Sequence, residues 1–461
     1  MNDDFFGVGS QAYVADYVLK PGDAPDGSAC LLLYSGGLDT SCCIRYIQEE
    51  FKGSVIALTC DVGQTENFEE IGRKAVDLGA EYIFKDVKSD FYTKYISKAI
   101  RLNACYFDGH PLASSLSRQI VSDCAVDIAK QRNLRIIAHG ATGRGNDSFR
   151  FDNALLSRLE GVKILAPIRN NQLDRDREIE FARRHKIPVS ATRNSPYSVD
   201  ENMWGREIEA GSLDDLSFSL PSEALAWVKL PPLASGRGRV SIEFDAGLPA
   251  RVEFGNESGR TEVTNIVEAI TMLNTFVGAH GIGLHDHLEE RASGVKVREI
   301  HESPAATLII KAHKILEHAS LTSIELSTKR YLETRWVQSM VSGRIDPVVH
   351  CIDEFANVAN RRVAGEVTFN LTAGQCFIES LMPVYGLDFR SIYGENQDVC
   401  YNQDLVAPAI ELMDEPMRQA LRNHEIASKV TSALPVSWRQ GAAPGEGGWS
   451  SRTRPDRSLR P

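Results

Sequence analysis

Residues 29–41 read Ala29-Cys30-Leu31-Leu32-Leu33-Tyr34-Ser35-Gly36-Gly37-Leu38-Asp39-Thr40-Ser41, and this stretch decides the fold of the chain. Its apolar half, residues 29–34, has the length and composition of a buried parallel strand. Gly36 and Gly37 then allow a sharp turn that leaves several backbone N–H groups pointing outward together. The stretch therefore predicts a strand followed by a loop that can hold an anion.

Hydroxyl groups and a helix start add to this anion site. Ser35 can cap the turn, while Thr40 and Ser41 offer hydroxyls to phosphate oxygens. Residues 42–50 have helical composition, and the dipole of a helix favours negative charge at its N-terminus. We therefore predict ATP as the occupant.

The loop differs from two common nucleotide motifs. It lacks the longer Gly-rich loop that ends in Gly-Lys-Ser/Thr, and it lacks the three spaced glycines of the dinucleotide fingerprint. It resembles the loop of enzymes that split ATP into AMP and pyrophosphate. The alternative is a capped Gly-Gly turn that binds no ligand.

Composition limits the possible partners. The 461 residues are 43% hydrophobic and 25% charged, as in an ordinary globular enzyme, and the formal net charge is −11. This charge argues against broad nucleic-acid binding. The first four residues are acidic where a signal peptide is basic, and no run of about 18 apolar residues is present. We expect a cytoplasmic protein whose partners are small molecules, with no membrane or nucleic acid.

Residues 29–190 alternate strand-like and helical stretches, which predicts an α/β nucleotide-binding domain with a parallel sheet and helices on both faces. In such folds ligands bind beyond the carboxyl ends of the strands. Three loop residues fall at these ends, namely Ser35, Asp61 and Gly140. The predicted strands after the first are 54–60, 82–87, 135–139 and 163–166, with a helix over 68–78.

The pattern changes after residue 190. Strand-like runs at 239–244 and 250–254 predict a hairpin, and helices are expected at 266–280 and 307–318. We predict a second, α+β domain over 191–400 and a helical segment over 401–431, interrupted by Pro408 and Pro416. Residues 1–28 form an N-terminal extension, and this extension and residues 432–461 are expected to be mobile tails.

Three further stretches are dense in chemically active residues. Residues 139–147 read His-Gly-Ala-Thr-Gly-Arg-Gly-Asn-Asp, with Arg150 three residues on, and suit a nucleotide together with a small dicarboxylate. Residues 195–206 and 281–305 are the other two. Each stretch also has an alternative interpretation without a binding role. For residues 139–147 it is a surface loop, for residues 195–206 a turn into a capped helix, and for residues 281–305 the solvated charge of a helix.

These four stretches, in this order, resemble argininosuccinate synthase, and the resemblance covers residues 29 to about 425. It implies an ATP-pyrophosphatase (PP-loop, HUP-like) domain, followed by a synthetase and oligomerisation domain. It also implies a homo-oligomer, and we expect a tetramer. It implies that a ureido oxygen of citrulline attacks the α-phosphate of ATP and releases pyrophosphate. The amine of aspartate then displaces AMP and forms a C–N bond, so the enzyme is an AMP-forming ligase.

The resemblance also implies site residues. Catalytic roles fall to Asp39 and Arg150. ATP is held by Tyr34, Ser35, Gly36, Gly37, Leu38, Asp39, Thr40, Ser41, Cys60 and Gly140. Aspartate is held by Thr142, Asn146 and Asp147. The acceptor is held by His110, Ser115, Arg150, Ser198, Glu207, Glu289 and His301. Mg²⁺ is expected with ATP, and no metal-ligand spacing is evident in the sequence.

The acceptor pocket departs from the family. His110 and His301 stand where the family has tyrosines, and Glu207 stands where it has serine. A carboxylate repels the α-carboxylate of citrulline and attracts an ammonium or a hydrogen-bond donor. One hypothesis is a remodelled pocket for another ureido, amide or related carbonyl compound, in specialised metabolism. The other is that Glu207 pairs with a histidine or with Arg206, and that citrulline of arginine biosynthesis still binds.

Two other functional classes are alternatives for the whole protein. A tRNA sulfur-transfer enzyme shares the loop but calls for a catalytic cysteine pair and a basic surface, and neither is evident. A catalytically silent nucleotide-binding sensor is expected to lose its phosphate-handling residues first, and here these residues are intact.

Overall fold

The computed structural model describes residues 15–20, 23, 27–107, 109–143, 145–171, 175–188, 197–233, 236–291, 294–388, 390, 392 and 402–433. They belong to two compact units, which divide between residues 391 and 392. Parts of several predictions lie outside the described residues: most of the N-terminal extension, Arg144 of the second motif, Ser195-Pro196 of the third motif, Ala292-Ser293 of the fourth motif, residues 393–401 and the tail from residue 434.

A five-stranded parallel sheet forms the first half of the first unit. The strands up to residue 165 are β1 (Ala29–Leu33), β2 (Ser54–Asp61), β3 (Glu81–Asp86), β4 (Cys105–Tyr106), β5 (His110–Pro111), β6 (Ile136–His139) and β7 (Lys163–Leu165). The sheet has the order β3-β2-β1-β6-β7, and β4 pairs with β5 separately. All of its pairs are parallel. The predicted strands and the fold class are therefore confirmed.

Helices cover both faces of this sheet. They are α1 (Leu38–Glu50), α2 (Phe68–Asp77), α3 (Lys88–Phe91), α4 (Ser97–Arg101), α5 (Ser114–Gln131), α6 (Asp147–Arg158), α7 (Pro167–Asn170) and α8 (Arg175–Arg184). Alternate residues of β1 point to opposite faces. Leu31 and Leu33 belong to the core that includes α5, whereas Cys30 and Leu32 belong to the core that includes α1. This two-sided burial explains why β1 is a continuous apolar run.

Part of the N-terminal extension packs against the sheet. Val18 forms a parallel bridge with Ile164 of β7, and the Leu19 N–H donates to the Ile164 carbonyl at 3.0 Å. Leu19 is buried. The prediction of a mobile tail over residues 1–28 is therefore wrong for residues 15–20, because Leu19 supplies apolar surface that the core takes up.

Two antiparallel sheets follow in the second half. Their strands are β8 (Ser198–Asn202), β9 (Gly205–Glu209), β10 (Gly238–Asp245), β11 (Leu248–Asn256), β12 (Gly259–Val263), β13 (Leu284–Glu290), β14 (Lys296–Glu302), β15 (Gly365–Thr372) and β16 (Gln375–Pro383). The sheet orders are β12-β11-β10-β15-β16 and β13-β14-β9-β8. The predicted hairpin is β10–β11, and its turn is Ala246-Gly247, both with positive φ.

The fourth motif forms a hairpin and not a charged helix. Residues 284–302 build β13 and β14, which pair in antiparallel register. Along β13 the residues His285, His287 and Glu289 follow one another at every second position, so they share one face of the strand. The interpretation of the charges in residues 281–305 as solvated helix charge is therefore wrong.

The remaining helices are α9 (Ile266–Ala279), α10 (Pro304–Ser320), α11 (Ser323–Ser342), α12 (Pro347–Asn360) and α13 (Val406–Ala433). The helices predicted at 266–280 and 307–318 are confirmed. The prediction that Pro408 and Pro416 interrupt the last helix is wrong. Pro408 falls in the first turn, where no intrahelical N–H bond is lost, and α13 continues through Pro416. Among the described residues, no helix has the length and hydropathy needed to cross a bilayer.

Candidate active site

The loop after β1 has the shape of an anion cradle. Gly36 has φ +77°, and Gly37 is the N-cap of α1 with extended backbone. A Cβ on Gly36 would stand 2.7 Å from Cγ1 of Ile71, so the loop packs closely against α2. Gly36 is therefore needed to turn the chain from the strand into the helix, whose N-terminus favours anions.

Hydroxyl groups line this turn. Ser35 Oγ lies 3.2 Å from Thr40 Oγ1, and Ser41 Oγ donates to the Gly37 carbonyl at 2.6 Å. Tyr34 Oη lies 3.2 Å from Ser41 Oγ. These contacts gather four hydroxyls around the start of α1, where phosphate oxygens can accept hydrogen bonds.

A lysine that the sequence analysis missed supports the same loop. Lys74 of α2 donates its Nζ proton to the Gly36 carbonyl at 2.8 Å. Burial lowers its pKa. The contact holds the loop backbone, and it brings a cation next to the predicted phosphate site.

The end of β2 adjoins the loop as well. Thr59, just before Cys60, donates its hydroxyl proton to the Tyr34 carbonyl at 2.8 Å. Cys60 is buried, and the following Asp61 forms an ion pair with Lys88. The carboxyl ends of β1 and β2 therefore lie side by side, as predicted.

The glycine loop after β6 lies beside the phosphate loop. Leu33 of β1 pairs with His139 of β6, so Gly140 follows directly next to the cradle. A Cβ on Gly140 would stand 2.9 Å from Thr40 Cγ2. His139 is held from both sides, because its Nε2 lies 2.8 Å from Asp152 Oδ1 and its Nδ1 accepts the Ala141 N–H at 3.2 Å.

We expect Gly140→Val to weaken ATP binding by roughly 10- to 100-fold, because overpacking against Thr40 costs about 1–3 kcal/mol and displaces the loop. Isothermal titration with ATP measures the effect. Gly143→Ala is the matched control, since a Cβ there meets only Arg169 Cγ, at an ordinary 3.4 Å. Equal ATP affinity in the two variants would contradict the close approach of the two loops.

A network of acids and arginines follows the glycine loop. Arg118 of α5 donates to Asp147 through Nη2 at 2.8 Å and Nε at 3.0 Å, and it also pairs with Asp200 at 2.5 Å. On the other side, Arg150 Nη1 donates to Asp147 Oδ1 at 3.0 Å. Asp147 therefore lies between two guanidinium groups. The sequence analysis included neither Arg118 nor Asp200 among the site residues.

The two carboxyls of this network have opposite pKa shifts. Burial alone raises the pKa of Asp147, but Arg118 and Arg150 together lower it well below its usual range. For Asp200, burial together with the nearby charges of Glu207 and Asp147 outweighs Arg118 and raises the pKa to about 6. Asp147 is thus a fixed anion, whereas Asp200 titrates in mildly acidic solution.

This difference predicts a pH effect on stability. An unfolded Asp has a pKa of about 3.9. Between about pH 4 and pH 6 the folded state therefore binds more protons at Asp200 than the unfolded state does, and this contribution to stability is lost as the pH rises. We expect the free energy of unfolding of Asp200→Asn to lack this decrease between about pH 4 and pH 6. Urea unfolding at several pH values in this range measures it, with Asp77→Asn, at an exposed position, as the control.

Arg150 links the network to the second half of the chain. It is buried, and its Nη1 donates to Ser114 Oγ at 3.0 Å while its Nη2 lies 3.5 Å from Glu289 Oε1. Asn146 donates to the same Glu289 oxygen at 3.2 Å. Residues predicted for aspartate and for the acceptor therefore meet at Glu289.

Three histidines pack together beyond Glu289. The ring centroid of His110 lies 3.9 Å from that of His287 and 4.0 Å from that of His301, and the last two are 4.6 Å apart. His110 Nε2 lies 3.7 Å from Glu289 Oε2. His110 and His301 are almost fully buried. His110 and His301, both predicted for the acceptor pocket, thus occupy one cluster together with His287.

Glu207 belongs to the same pocket. Its Oε1 accepts the Ser114 N–H at the start of α5 at 2.8 Å, and it lies 3.8 Å from His301 Nδ1. Arg206 points elsewhere, because it pairs with Glu302 at 2.6 Å. The hypothesis that Arg206 neutralises Glu207 is therefore wrong, while the approach of a histidine is observed.

The pocket concentrates ionisable groups away from water. Burial, reinforced by the charges of Glu289 and Glu207, raises the pKa of Glu299 to about 9. Burial and the neighbouring rings of His301 and His287 lower the pKa of His110 well below its usual value. At neutral pH His110 is therefore neutral, and this favours lone-pair donation from its ring.

The other predicted residues lie as follows. Asp39 and Leu38 are in the first turn of α1, and Ser115 is buried in the first turn of α5. The Thr142 carbonyl accepts the Ser148 hydroxyl at 2.7 Å. Ser198 is exposed at the beginning of β8, opposite Glu209.

Comparisons with known proteins agree with this geometry. A family model described as "Arginosuccinate synthase N-terminal HUP domain" matches residues 29–188, and one described as "Arginosuccinate synthase C-terminal domain" matches residues 197–405. An argininosuccinate synthase of Sulfurisphaera tokodaii is 39% identical over 74% of this chain and 85% of its own length.

Two further relatives have the same name. The argininosuccinate synthase of Pyrococcus furiosus is 38% identical over 76% of this chain and 83% of its own length. That of Methanopyrus kandleri is 38% identical over 86% of this chain and 99% of its own length. The chain therefore belongs to the argininosuccinate synthase family and is an ATP-dependent ligase that forms a C–N bond with release of AMP and pyrophosphate.

Proposed function

We propose that this enzyme adenylates a ureido or related carbonyl acceptor other than citrulline and joins it to L-aspartate. The observation that carries the proposal is the acceptor pocket, where His110, His301 and Glu207 form one cluster with His287 and Glu299. A pocket with this much buried charge and imidazole differs in chemistry from one lined by phenols and a serine hydroxyl.

The phosphate side of the site uses positioned charge and donors. The loop N–H groups and the hydroxyls of Ser35, Thr40 and Ser41 hold the phosphates of ATP, with Mg²⁺ bound to phosphate oxygens and water. Asp39 lies next to the α1 N-terminus, and we propose that it acts with these donors. Pyrophosphate then leaves as the acceptor oxygen attacks the α-phosphorus in line.

The nucleophile side suits a small dicarboxylate. We propose that Thr142 and Asn146 bind L-aspartate, whose amine displaces AMP from the activated acceptor. Asp147, held as an anion by Arg118 and Arg150, attracts the ammonium of aspartate. Arg150 orders the boundary between the two substrates because it contacts both Asp147 and Glu289.

Synthesis of argininosuccinate from citrulline is the second candidate. It is favoured by relatives that are 38–39% identical over about three quarters or more of this chain, and by the presence of Ser115, Arg150, Ser198 and Glu289. A silent nucleotide-binding sensor is disfavoured, because the phosphate loop is complete.

The deciding experiment measures pyrophosphate and AMP released from ATP, Mg²⁺ and aspartate by the purified enzyme. Citrulline is present, then absent, then replaced by other ureido, amide and carbonyl compounds. Turnover of another compound without turnover of citrulline supports the proposal. Efficient and exclusive use of citrulline overturns it and makes the chain an enzyme of arginine biosynthesis. Absence of turnover with every acceptor favours the sensor.

Assembly and organisation are further parts of the proposal. Helix α13 exposes apolar side chains at Ile410, Met413, Met417 and Leu421, which recur every three or four residues. This stripe supports the homotetramer that the resemblance implies, through contacts with other copies. The division into a nucleotide-binding domain over 29–190 and a synthetase domain over 191–400, and the cytoplasmic location, remain predictions from the sequence.

A further inference from the structure

We propose that His110, His287, His301 and Glu289 form a binding site for a divalent transition-metal ion. The candidate ligand atoms of these four side chains all lie within 4.8 Å of one another. Around a tetrahedral ion with bonds of 2.0–2.1 Å, neighbouring ligand atoms are about 3.3 Å apart. The observed spread exceeds that spacing by at most about 1.5 Å, which small side-chain rotations can close. The inference goes beyond ligase activity and does not depend on which acceptor is used.

The ligands come from rigid elements. His287 and Glu289 share one face of β13, His301 lies on the neighbouring strand β14, and His110 approaches from β5. Strands β13 and β14 are paired along their whole length, from Leu284–Glu302 to Glu290–Lys296. Ligands on paired strands are held in place before an ion binds, and this favours a defined site over a chance surface cluster.

Unpartnered ring nitrogens point to a ligand. Within the described residues, no polar atom lies within hydrogen-bond distance of either ring nitrogen of His287 or of Nδ1 of His301, although all three atoms are buried from water; His287 Nε2 lies 4.0 Å from Glu289 Oε2. His301 itself is only 1% exposed. Buried polar atoms without a partner are rare in folded proteins, and they commonly indicate an ion or water. A neutral imidazole carries one N–H and one lone pair, so a metal ion can accept one lone pair from His287 and one from Nδ1 of His301.

The surroundings of His301 match those of a metal ligand. Its Nε2 lies 3.3 Å from Glu299 Oε2, while its Nδ1 faces Glu207 Oε1 at 3.8 Å. Histidines that bind metals usually use one ring nitrogen and bond the other to a carboxylate, which fixes the orientation of the ring. Glu299 thus orients His301, and Glu207 adds negative charge beside the site.

The ligand set selects the class of metal. Imidazole suits Zn²⁺, Fe²⁺, Co²⁺ and Ni²⁺, whereas Mg²⁺ and Ca²⁺ prefer oxygen ligands. Three imidazoles and one carboxylate therefore favour a first-row transition metal over the Mg²⁺ that accompanies ATP. Because Glu289 also contacts Arg150, such an ion stands within the proposed acceptor pocket, where acceptor oxygen atoms can reach it.

The test is a titration of the metal-free full-length enzyme with Co²⁺ in the absence of ATP and other substrates. Visible absorption reports four-coordinate Co²⁺, and competition with Zn²⁺ gives relative affinity. We expect one equivalent to bind. His287→Ala is the first variant, because His287 is the most exposed of the three histidines, at 20% against 3% for His110 and 1% for His301. We expect this variant to bind Co²⁺ more than about 100-fold more weakly. Losing a residue that only hydrogen-bonds to a metal ligand usually costs about 10- to 100-fold.

Two variants complete the design. Glu299→Leu keeps roughly the size of the side chain but removes the oxygen that lies 3.3 Å from His301 Nε2, and it is expected to weaken binding by about 10- to 100-fold. His350→Ala removes an exposed histidine of α12 and is expected to bind Co²⁺ as the unaltered enzyme does. Circular dichroism melts verify that every variant is folded.

Three results would overturn the proposal: no stoichiometric binding of Co²⁺, equal binding by His287→Ala and the unaltered enzyme, or equal losses in His287→Ala and His350→Ala. Since no substrate is present, these results are independent of the turnover assays. A ligase that binds no transition metal retains its proposed function, and a metal-binding protein without turnover retains the metal site.

Discussion

Replacing Arg150 by methionine is expected to abolish turnover and to lower the free energy of unfolding by about 3–5 kcal/mol. The guanidinium is buried and contacts Asp147 at 3.0 Å and Glu289 at 3.5 Å. Removing it leaves those carboxylates with less compensating charge in a site shielded from water. It also removes the group that orders the boundary between the proposed aspartate and acceptor sites. Urea unfolding and pyrophosphate release measure the two effects.

Arg158→Met is the matched control for this variant. Arg158 lies on the same helix, α6, and also pairs with a carboxylate, Asp123, at 2.7 Å, but it faces away from the site residues. We expect Arg158→Met to keep its activity once folded. Arg150→Lys is expected to fold better than Arg150→Met yet to remain impaired, because lysine lacks the planar fork of donors. A folded Arg150→Met enzyme with ordinary turnover would show that Arg150 has no part in the reaction.

Glu207→Gln is expected to change the charge preference for the acceptor. Glutamine keeps an oxygen that accepts the Ser114 N–H, which Glu207 Oε1 now does at 2.8 Å, but it removes the negative charge. Like charges about 4 Å apart near a protein surface repel by up to about 4 kcal/mol. We therefore expect kcat/KM for acceptors with a carboxylate next to residue 207, citrulline among them, to rise by roughly 10- to 100-fold.

The same substitution should lower kcat/KM for acceptors that place an ammonium or a hydrogen-bond donor there. Glu290→Gln is the control, because Glu290 also lies on this sheet but is exposed and pairs with Lys296. Parallel changes for carboxylate-bearing and ammonium-bearing acceptors would count against a role for the charge of Glu207 in specificity. No change with either class would place the acceptor away from this side chain.

Local patterns predicted the nucleotide-binding half of the fold well. Residues 29–50 specify a strand, a turn and a helix through a short apolar run, two glycines and helical composition, all within one stretch of chain. The hairpin of β10 and β11 was similarly evident, because its turn residues lie between two strand-like runs. Such features depend on neighbours in sequence, so no knowledge of distant contacts is needed.

The acid and histidine networks could not be predicted in the same way. Arg118 lies in the second turn of α5, and nothing local indicates that it contacts Asp147 and Asp200. His287 and Glu299 were missed because no strands were predicted over residues 284–302, where the structure has β13 and β14. The alternation of His285, His287 and Glu289 was the available signal, since a period of two indicates a strand. Recognising β13 as a strand would have placed His287 beside Glu289.

The short N-terminal segment that pairs with Ile164 also covers part of the outer edge of β7. β7 is the last strand of the parallel sheet, and its open edge would otherwise offer unpaired backbone groups to another chain. Tyr17 reaches further, because its hydroxyl donates to Asp152 at 3.1 Å, and Asp152 in turn holds His139. A shortened protein beginning at residue 27 would lose both contacts. The edge of β7 would then be open to pairing with another chain, and the glycine loop after β6 would be less firmly held.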